Sequence, residues 1–431
     1  MFVHLDKKIV ILLLLVTVSL STLLAYHFVN STPPLNDTVE YKNASENLLK
    51  NNTLYSGNFE SPLDFRLYSK RTLGFPVFIL FQGQSNNLVL LSSVFLYFVI
   101  FFMGLSILRH FTEKRVSIIV YIFLFLTHAA LSIHCTLYMA DLLVTASVTA
   151  VVLVFYSLKE TVTQKIFYIS VLWGICLLLK PVFLPTLILA PLLIVYFKIK
   201  TSRWHLTLII PILVWTVGCS INLANTGVFE YSSISTINLG QYNAKLSVAN
   251  SDGLEVAKDF TNSQAFDIPR TKAAYSKYKE GVRNKAIKTV LEDPISYIKV
   301  HITGMLKMIV DPGRFEIYTF FGINDKNVSL TELLYSSNWS QIEKAMSKNK
   351  SVLVGFIVLF VISIIKLFLS LFTFRSYCNL YFLLLVMVYF VAITGPVGAA
   401  RFMLPVSILY IILAALGAQY FLALFQKGSK S

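Results

Sequence analysis

Charged side chains are scarce in this sequence. They make up only 14% of the 431 residues, whereas 56% are hydrophobic, and the mean hydropathy is +0.68. This composition excludes an ordinary soluble domain and is typical of polytopic membrane proteins. Acidic residues are scarcer than basic ones, with 22 Asp and Glu against 37 Lys and Arg. Cytoplasmic loops that follow the positive-inside rule explain much of the basic excess, so we expect a lipid bilayer as partner and no nucleic acid.

Cysteine and paired histidines are also scarce. None of the four cysteines has CxxC or CxxxC spacing, and no two histidines form an HxxxH or HxH pair. These absences argue against a disulfide framework and against a metal cluster. We predict that the cysteines are small core residues. They are Cys135, Cys176, Cys219 and Cys378.

Long apolar runs, in contrast, are abundant. A hydrocarbon core of roughly 30 Å takes about 20 apolar residues per helix. The first run, 9–29, follows Lys7 and Lys8 and is similar to a secretory signal peptide. It is longer than the apolar segment that a signal peptide needs, however, and it ends without a small-residue cleavage site. We therefore interpret it as an uncleaved span. Nine further runs lie at 88–108, 116–133, 141–157, 166–182, 184–197, 205–223, 351–372, 380–396 and 402–424.

Basic residues in the short loops orient these runs. If both termini are cytoplasmic, every short loop satisfies the positive-inside rule. We therefore expect an all-α polytopic protein of the cell membrane with about ten transmembrane helices. Three regions follow: an N-terminal transmembrane module, 1–223, with a helical first outer loop, 30–87; a longer outer segment, 224–350, with a surface helix at 301–310; and a C-terminal transmembrane module, 351–431.

Seven charged residues fall at the outer ends of the predicted spans or in the first outer loop. Charges beside a membrane are costly and persist where they pair with one another or serve a substrate, so their placement on one face predicts a functional site. Acids suit deprotonation of an acceptor, while cations suit the binding of a phosphorylated leaving group. The seven are Asp37, Glu40, Lys70, Arg71, Asp141, Lys180 and Arg401.

Several of these residues also have a simpler explanation. Lys70 and Arg401 are typical of side chains that extend to the membrane surface, Asp141 of a helix N-cap, and Glu40 of a solvated helix position. Their convergence on one face nevertheless favours a site. The polar residues within the spans are mostly Ser and Thr, so we place the site at the outer edge of the membrane.

The order of several short motifs resembles the GT-C superfamily of membrane glycosyltransferases. The resemblance is to family 39, which includes protein O-mannosyltransferases and the lipid A aminoarabinose transferase, and it runs from residue 1 to about 425. NDTVEYKNASENLLKNNTLYSG and KRTLGFPVFILF are similar to the first outer loop of that family. LYMADLL resembles its second acidic motif and LLLKPVFLP its Lys-Pro segment. LEDPISYIKVHITGMLKMIVDPG and ARFMLPVSILYIILAALGA resemble its later acidic-Pro stretch and the Arg-aromatic opening of its last span.

The resemblance implies a GT-C-like helical bundle and an inverting sugar transfer on the outer face of the membrane. The donor would be a polyprenyl-phosphate sugar, and the acceptor a lipid, a glycan or a protein. Asp37 takes the place of the catalytic general base, and Asp141 that of a second acid which holds the acceptor or orders the pocket. Glu40 is the solvated neighbour of Asp37 or a secondary acceptor contact. The donor phosphate would be bound by Lys70, Arg71, Lys180 and Arg401.

The sequence departs from the family pattern in two places. The proline that often follows the arginine is missing, because Arg71 precedes Thr72, Leu73 and Gly74. The acidic residue that holds a metal ion in some relatives has no clear match. We therefore assign no metal ligands and no certain cofactor, and the need for a divalent metal ion stays open.

Two other functions fit parts of the sequence. A lipid-linked-glycan transporter or flippase would need polar residues near the bilayer midplane and usually an internal repeat, and the sequence has neither. An O-antigen-type polymerase or ligase would place its functional charges in the late outer segment, which contains Arg270, Arg283 and Arg314. Asp37 separates the two enzymes, because only the GT-C transferase requires it.

Overall fold

The computed structural model describes residues 7–30, 34–263, 266–322, 350–375 and 380–428. Within these ranges the chain is 80% helical and contains no strand, which confirms the predicted all-α class. Cys378 lies outside the described residues. The other three cysteines are buried, as predicted for small core residues.

The N-terminal helices lead into the predicted first outer loop. The first apolar run lies in α1 (Lys7–Asn30), and five residues separate α1 from α2 (Asn36–Asn51). A 3-10 turn, Phe65–Tyr68, and the short apolar helix α3 (Gly74–Phe81) follow. The loop is therefore helical, as expected, and α3 packs against α2.

The remaining predicted runs also fall on helices. Those of the N-terminal region are α4 (Asn86–Phe111), α5 (Arg115–Leu126), α6 (Ala129–Ile133), α7 (Asp141–Tyr156), α8 (Val162–Leu179), α9 (Leu189–Thr201) and α10 (Ile210–Thr226). The run 116–133 is not one continuous helix, because the chain turns at Thr127 and His128 between α5 and α6. Two 3-10 turns, Pro181–Ile188 and Leu206–Ile209, precede α9 and α10.

The late segment forms a set of shorter helices. They are α11 (Ile234–Asn238), a π-helical turn (Leu239–Ala244), α12 (Lys245–Ser251), α13 (Leu254–Thr261), α14 (Lys272–Glu292), α15 (Pro294–Val310) and α16 (Arg314–Phe320). The predicted surface helix is part of α15. Its exposed side carries an apolar stripe at helical spacing, typical of a helix that lies in a membrane interface: Ile295, Ile298, Ile302 and Leu306.

The C-terminal helices complete the bundle. They are α17 (Lys350–Leu371), α18 (Tyr381–Thr394) and α19 (Leu404–Gly428), with 3-10 turns at Phe372–Arg375, Gly395–Val397 and Ala400–Phe402. The last helix, α19, runs through the core and packs against α4, α5, α7 and α17. Its small residues permit this contact: a Cβ on Gly417 would lie 1.8 Å from the backbone oxygen of Leu369 in α17.

Six helical stretches in the described part of the chain are long and apolar enough to cross a membrane. They are Asn86–Phe111, Val162–Leu179, Pro181–Thr201, Leu206–Thr226, Val354–Leu371 and Leu404–Phe425. Three shorter apolar stretches, Arg115–Leu126, Asp141–Tyr156 and Tyr381–Val397, fall below that length. These helices indicate a multi-pass membrane protein, while the expected number of about ten spans stays a prediction.

Polar side chains inside the spans are of two kinds. The hydroxyls of Thr145, Ser147 and Thr149 in α7 donate to backbone oxygens four residues earlier, which satisfies them within the helix. Lys366 in α17 is different: its ammonium lies 4.4 Å from the ring centroid of Tyr410 in α19. The sequence reasoning overlooked this intramembrane cation.

Candidate functional site

All seven predicted site residues come together in the structure. They are contributed by α2, the loop before α3, the start of α7, the end of α8 and the 3-10 turn before α19. They form two ion-pair groups, one around Asp37 and Glu40 and one made of Asp141 and Lys180. Arg401 connects them, because it is bonded to Asp37 and interacts electrostatically with Asp141.

Asp37 lies in the first turn of α2, where the helix dipole favours an acid. Its Oδ1 accepts a hydrogen bond from Nη2 of Arg71, and its Oδ2 accepts one from Nη2 of Arg401, each at 2.5 Å. Burial by itself would raise the pKa of Asp37, but the charges of Arg401 and Arg71 outweigh burial and hold the pKa well below its usual range. Asp37 is therefore an ionised carboxylate with both oxygens engaged.

Glu40 lies one helical turn after Asp37 and shares Arg71 with it. Its carboxylate accepts hydrogen bonds from Nζ of Lys70 at 2.6 Å and from Nε of Arg71 at 2.7 Å. The Glu40 side chain is only 16% exposed, so the solvated position considered from the sequence is wrong, and Lys70 is paired rather than extended to a membrane surface. The loop before α3 covers this face of α2, which is why both side chains are enclosed.

The ring of Tyr41 packs against the Arg71 guanidinium of this ion-pair group. Tyr41 is 4% exposed, and its ring lies 4.9 Å from the Arg71 guanidinium carbon. Burial raises the pKa of the Tyr41 hydroxyl to about 12. The ring therefore provides an uncharged aromatic surface for the cation. Its spacing of four residues from Asp37 on a helix was the sequence signal for this contact, and the sequence reasoning did not use it.

Asp141 and Lys180 form the second group. Pro181 disfavours a helical conformation at Lys180, so α8 ends at Leu179 and Lys180 is extended, with φ −149° and ψ 136°. Its Nζ donates to Oδ1 of Asp141 at 2.5 Å. Asp141 begins α7 but makes no capping hydrogen bond, so the N-cap explanation is wrong. Because the Asp141 side chain is only 1% exposed, the pair is a buried one.

The late segment holds the loop that carries Lys70 and Arg71. Ser232 Oγ donates to the backbone oxygen of Lys70 at 3.2 Å, and the Ser233 amide donates to that of Ser69 at 3.1 Å. Ser69 Oγ donates to buried Glu230 at 2.8 Å, and Tyr275 also donates to Glu230. This network positions the two cations from outside the site, and no short motif in the sequence indicated it.

Gly74 brings α3 close to the end of α8. A Cβ at this position would lie 2.6 Å from the backbone oxygen of Leu178, so any larger residue would force the two segments apart. The close approach places Arg71 near the end of α8, where Lys180 is located. The requirement for glycine here, three residues after Arg71, explains part of the KRTLG sequence.

An apolar groove leads to Arg71. Its first part lies between α3 and α8, and its second part lies between the loop before α3 and α10. The two parts share Leu73 and Leu178, and the second reaches Arg71 and Thr72. A groove with apolar walls and a cation at one end is suited to an amphiphile with an anionic head group.

Two buried polar residues beside the cluster were missed by the sequence reasoning. His134, after α6, is 1% exposed, and its Nε2 lacks a hydrogen-bond partner within the described structure. Burial lowers its pKa to about 4, so the imidazole is neutral at pH 7. Glu316 in α16 is also 1% exposed. The only hint in the sequence was an acid between aromatic and aliphatic residues in RFEIYTF.

The arginines of the late segment do not form a comparable group. Arg270 donates to the backbone oxygens of Pro62 and Leu63, Arg283 is exposed, and Arg314 lies 5.8 Å from the ring centroid of Tyr318. Within the ranges that the structure describes, no hydrogen bond or ion pair joins them. The polymerase or ligase alternative therefore gains no assembled site there.

The charges of the cluster suit an anion more than a metal ion. Four basic side chains face three acidic ones, and each acidic side chain already contacts at least one basic side chain. No group of three His, Cys, Asp or Glu side chains in the described residues is arranged to hold a metal ion. The arrangement can therefore bind an anionic group by exchanging carboxylate contacts for new ones.

Comparisons with protein-family models, with curated proteins and with solved structures find no match to this chain. The resemblance to family 39 of the GT-C superfamily thus stays a prediction from sequence motifs. The geometry of the site stands independently of it, since it follows from the contacts of this chain alone.

Proposed function

We propose that the protein is an integral membrane glycosyltransferase that moves a sugar from a polyprenyl-phosphate donor to a hydroxyl of a lipid, glycan or protein acceptor. The proposal depends chiefly on one observation, the position of Asp37 between Arg71 and Arg401. A carboxylate held by two arginines combines a base with the cations that a departing phosphate needs. The sequence resemblance points to the same reaction on the outer face of the membrane.

The donor phosphate would enter the cluster by competing for the arginines. An arginine guanidinium binds phosphate and carboxylate through similar paired hydrogen bonds, so a phosphate can replace Asp37 as a partner of Arg71 or Arg401. Lys70 and Lys180 lie beside these arginines and would add charge. Donor binding therefore releases an oxygen of Asp37 in the place where the acceptor hydroxyl must lose its proton.

The transfer then follows as one displacement. The acceptor oxygen forms a bond to the anomeric carbon while the bond from that carbon to the phosphate oxygen breaks. The hydroxyl proton moves to Asp37, and the electron pair of the broken bond stays on the polyprenyl phosphate. Attack from the face opposite the leaving phosphate inverts the configuration. The cations stabilise the charge that develops on the leaving group.

The apolar groove supports a lipid-linked donor. It extends from Arg71 along α3 and α8, with Leu73 and Leu178 at its centre. A polyprenyl chain in this groove would place its phosphate at the guanidinium. A water-soluble nucleotide sugar has no chain to fill it.

The test is transfer of labelled sugar in membranes supplied with a polyprenyl-phosphate sugar pool. Wild type is compared with Asp37→Asn and with Glu46→Gln, a matched control on the exposed side of α2. All proteins are brought to equal amounts of folded material. We expect Asp37→Asn to reduce transfer by roughly 100-fold or more, the range of general-base catalysis, and Glu46→Gln to leave it near wild type. Equal transfer by wild type and Asp37→Asn would refute the role of Asp37.

One observation favours a lipid-linked-glycan transporter as second candidate. Lys366 lies within α17 against Tyr410, and ionisable residues in spans often mark transport pathways. The two candidates separate in liposomes that contain a labelled lipid-linked sugar. Movement of that lipid between leaflets that is lost in Lys366→Met, without any sugar transfer by wild type, would favour the transporter.

A further inference from the structure

Glu316 is a buried acid in the short helix α16. Glu316 is 1% exposed, and no other residue in the described part of the chain donates a hydrogen bond to its carboxyl oxygens. Its own backbone amide favours the ionised form, but burial outweighs this effect. Burying an unpaired carboxylate is costly, so such a group favours its neutral form. Burial and the nearby Asp311 raise the pKa of Glu316 to about 7. This value lies well above that of an ordinary carboxyl group.

The position of Glu316 places it next to the candidate site. Helix α16 packs directly against α6 and against the turn Ala400–Phe402, which carries Arg401. The titratable and charged groups around Glu316 come from several elements. They are Asp311, Arg314 and Tyr318 beside it in the chain, His134 after α6, Asp141 at the start of α7, and Arg401.

One hydrogen-bond donor of Arg401 has no acceptor in the described structure. Its Nη2 is bonded to Asp37, but its Nε is buried and has no acceptor within the described structure. The charge of Arg401 favours the ionised form of Glu316, although the two are not in contact. Arg401 is thus bonded to Asp37, and it also interacts electrostatically with Asp141 and with Glu316.

We propose that Glu316 is a positioning residue that controls Arg401. In its neutral form it leaves Arg401 on Asp37. In its ionised form it competes with Asp37 for the guanidinium and so loosens the hold on that carboxylate. A rise in pH would therefore make Asp37 easier to release. No oxygen of Glu316 needs to contact substrate for this to work.

Infrared difference spectroscopy of the purified full-length protein tests this without any substrate. A protonated carboxylic acid has a carbonyl band that is lost on ionisation. We expect a band with a midpoint near pH 7 that is absent in Glu316→Gln and unchanged in Glu292→Gln, an exposed acid at the end of α14. Absence of a titrating band in wild type would overturn the proposal.

Asp37→Asn provides the decisive arm. This change frees Arg401 to bind Glu316, so the midpoint of the band should fall by about one pH unit or more. Arg401→Gln should raise the midpoint, because it removes a cation that favours the ionised form. This variant takes the place of Asp37→Asn if Asp37→Asn does not fold. Midpoints equal to that of wild type in both variants would show that Glu316 and Asp37 do not share Arg401, and the proposal would be wrong.

The effect on catalysis rests on the proposed function. Transfer by wild type should rise roughly tenfold as pH passes through the midpoint of the band, as a one-unit change in the pKa of the base would give. In Glu316→Gln this rise should disappear and the rate should stay at the low-pH level of wild type. An unchanged pH profile in Glu316→Gln would overturn the proposal. If wild type transfers no sugar, the proposed function fails, while the infrared shifts still decide the link between Glu316 and Arg401.

Discussion

Replacing Arg71 with glutamine is the most informative perturbation of the cluster. Arg71 contacts two of the three acids of α2: its Nη2 is 2.5 Å from Asp37 and 2.6 Å from Glu40. It also stacks on Tyr41 and is only 10% exposed. Glutamine removes the charge but keeps part of the side-chain volume. Asp37 then retains Arg401, and Glu40 retains Lys70, so two largely enclosed carboxylates share two cations instead of three.

The magnitude follows from the burial of the partners. Breaking a buried ion pair by removal of one partner costs about 3–5 kcal/mol, because the remaining charge is left uncompensated. Each carboxylate here keeps a second cation, so we expect the lower end, about 3 kcal/mol, in the free energy of unfolding. Loss of the stacking on Tyr41 contributes about 0.5–1 kcal/mol of this. The exposed pair of Lys50 and Glu46 on the same helix should contribute little, because solvent screens both charges.

The assay is denaturation of purified protein in detergent at neutral pH. Arg71→Gln is compared with Lys50→Gln, which removes a cation from the exposed side of α2. In the double variant Arg71→Gln with Asp37→Asn, the loss should be smaller than the sum of the two single losses, since the removed charges are partners. Equal stability of Arg71→Gln and Lys50→Gln, or strictly additive losses, would refute the view that Arg71 neutralises Asp37 inside the cluster.

Three further predictions concern the elements around the cluster. Gly74→Ala should lower stability by about 1–3 kcal/mol and reduce transfer, because its Cβ meets the backbone of Leu178 at 2.6 Å. Gly355→Ala in α17, where an added Cβ meets nothing within 4 Å, is the control, and equal transfer by the two variants would contradict the role of the close contact. Lys180→Met should lower the melting temperature markedly, since Asp141 is left as a buried charge. The double variant Lys180→Met with Asp141→Asn should recover much of the loss, and no recovery would contradict the pairing. The stability that Asp37 contributes is fully present above the ordinary carboxyl pKa of about 4, and it is lost progressively as pH falls below that value towards the depressed folded pKa. Melting temperatures of wild type and Asp37→Asn should therefore begin to converge below about pH 4 and continue to converge at lower pH, and a constant difference would contradict this.

Much of the fold and part of the site followed from local patterns. Apolar runs predict helices because backbone polar groups in a membrane must be paired within the segment. Charges at the ends of such runs are expensive unless they pair, which is why Asp37, Lys180 and Arg401 could be selected without a structure. Helical spacing also placed Asp37 and Glu40 on adjacent turns of α2. The break between α5 and α6 was missed, because an apolar run carries no signal for a turn at Thr127.

Partner choice in the cluster could not be predicted. Asp37 is bonded to Arg401, which lies 364 positions later in the chain, and to Arg71, whose loop is held by Ser232 and Ser233 of the late segment. These contacts depend on how α2, α3 and the turn before α19 approach one another. Local spacing contains no information about such distances.

The sequence by itself determined that the chain forms apolar helices, and that its isolated charges are grouped at their ends, because hydropathy and helix periodicity are local properties. Only the tertiary structure decided that Asp37 is shared by two arginines, that Asp141 is an ion-pair partner rather than a helix cap, and that Glu316 lies unpaired beside them. The reason is physical: the state of a charged side chain depends on burial and on neighbours within a few ångströms, and packing brings those neighbours from distant parts of the chain.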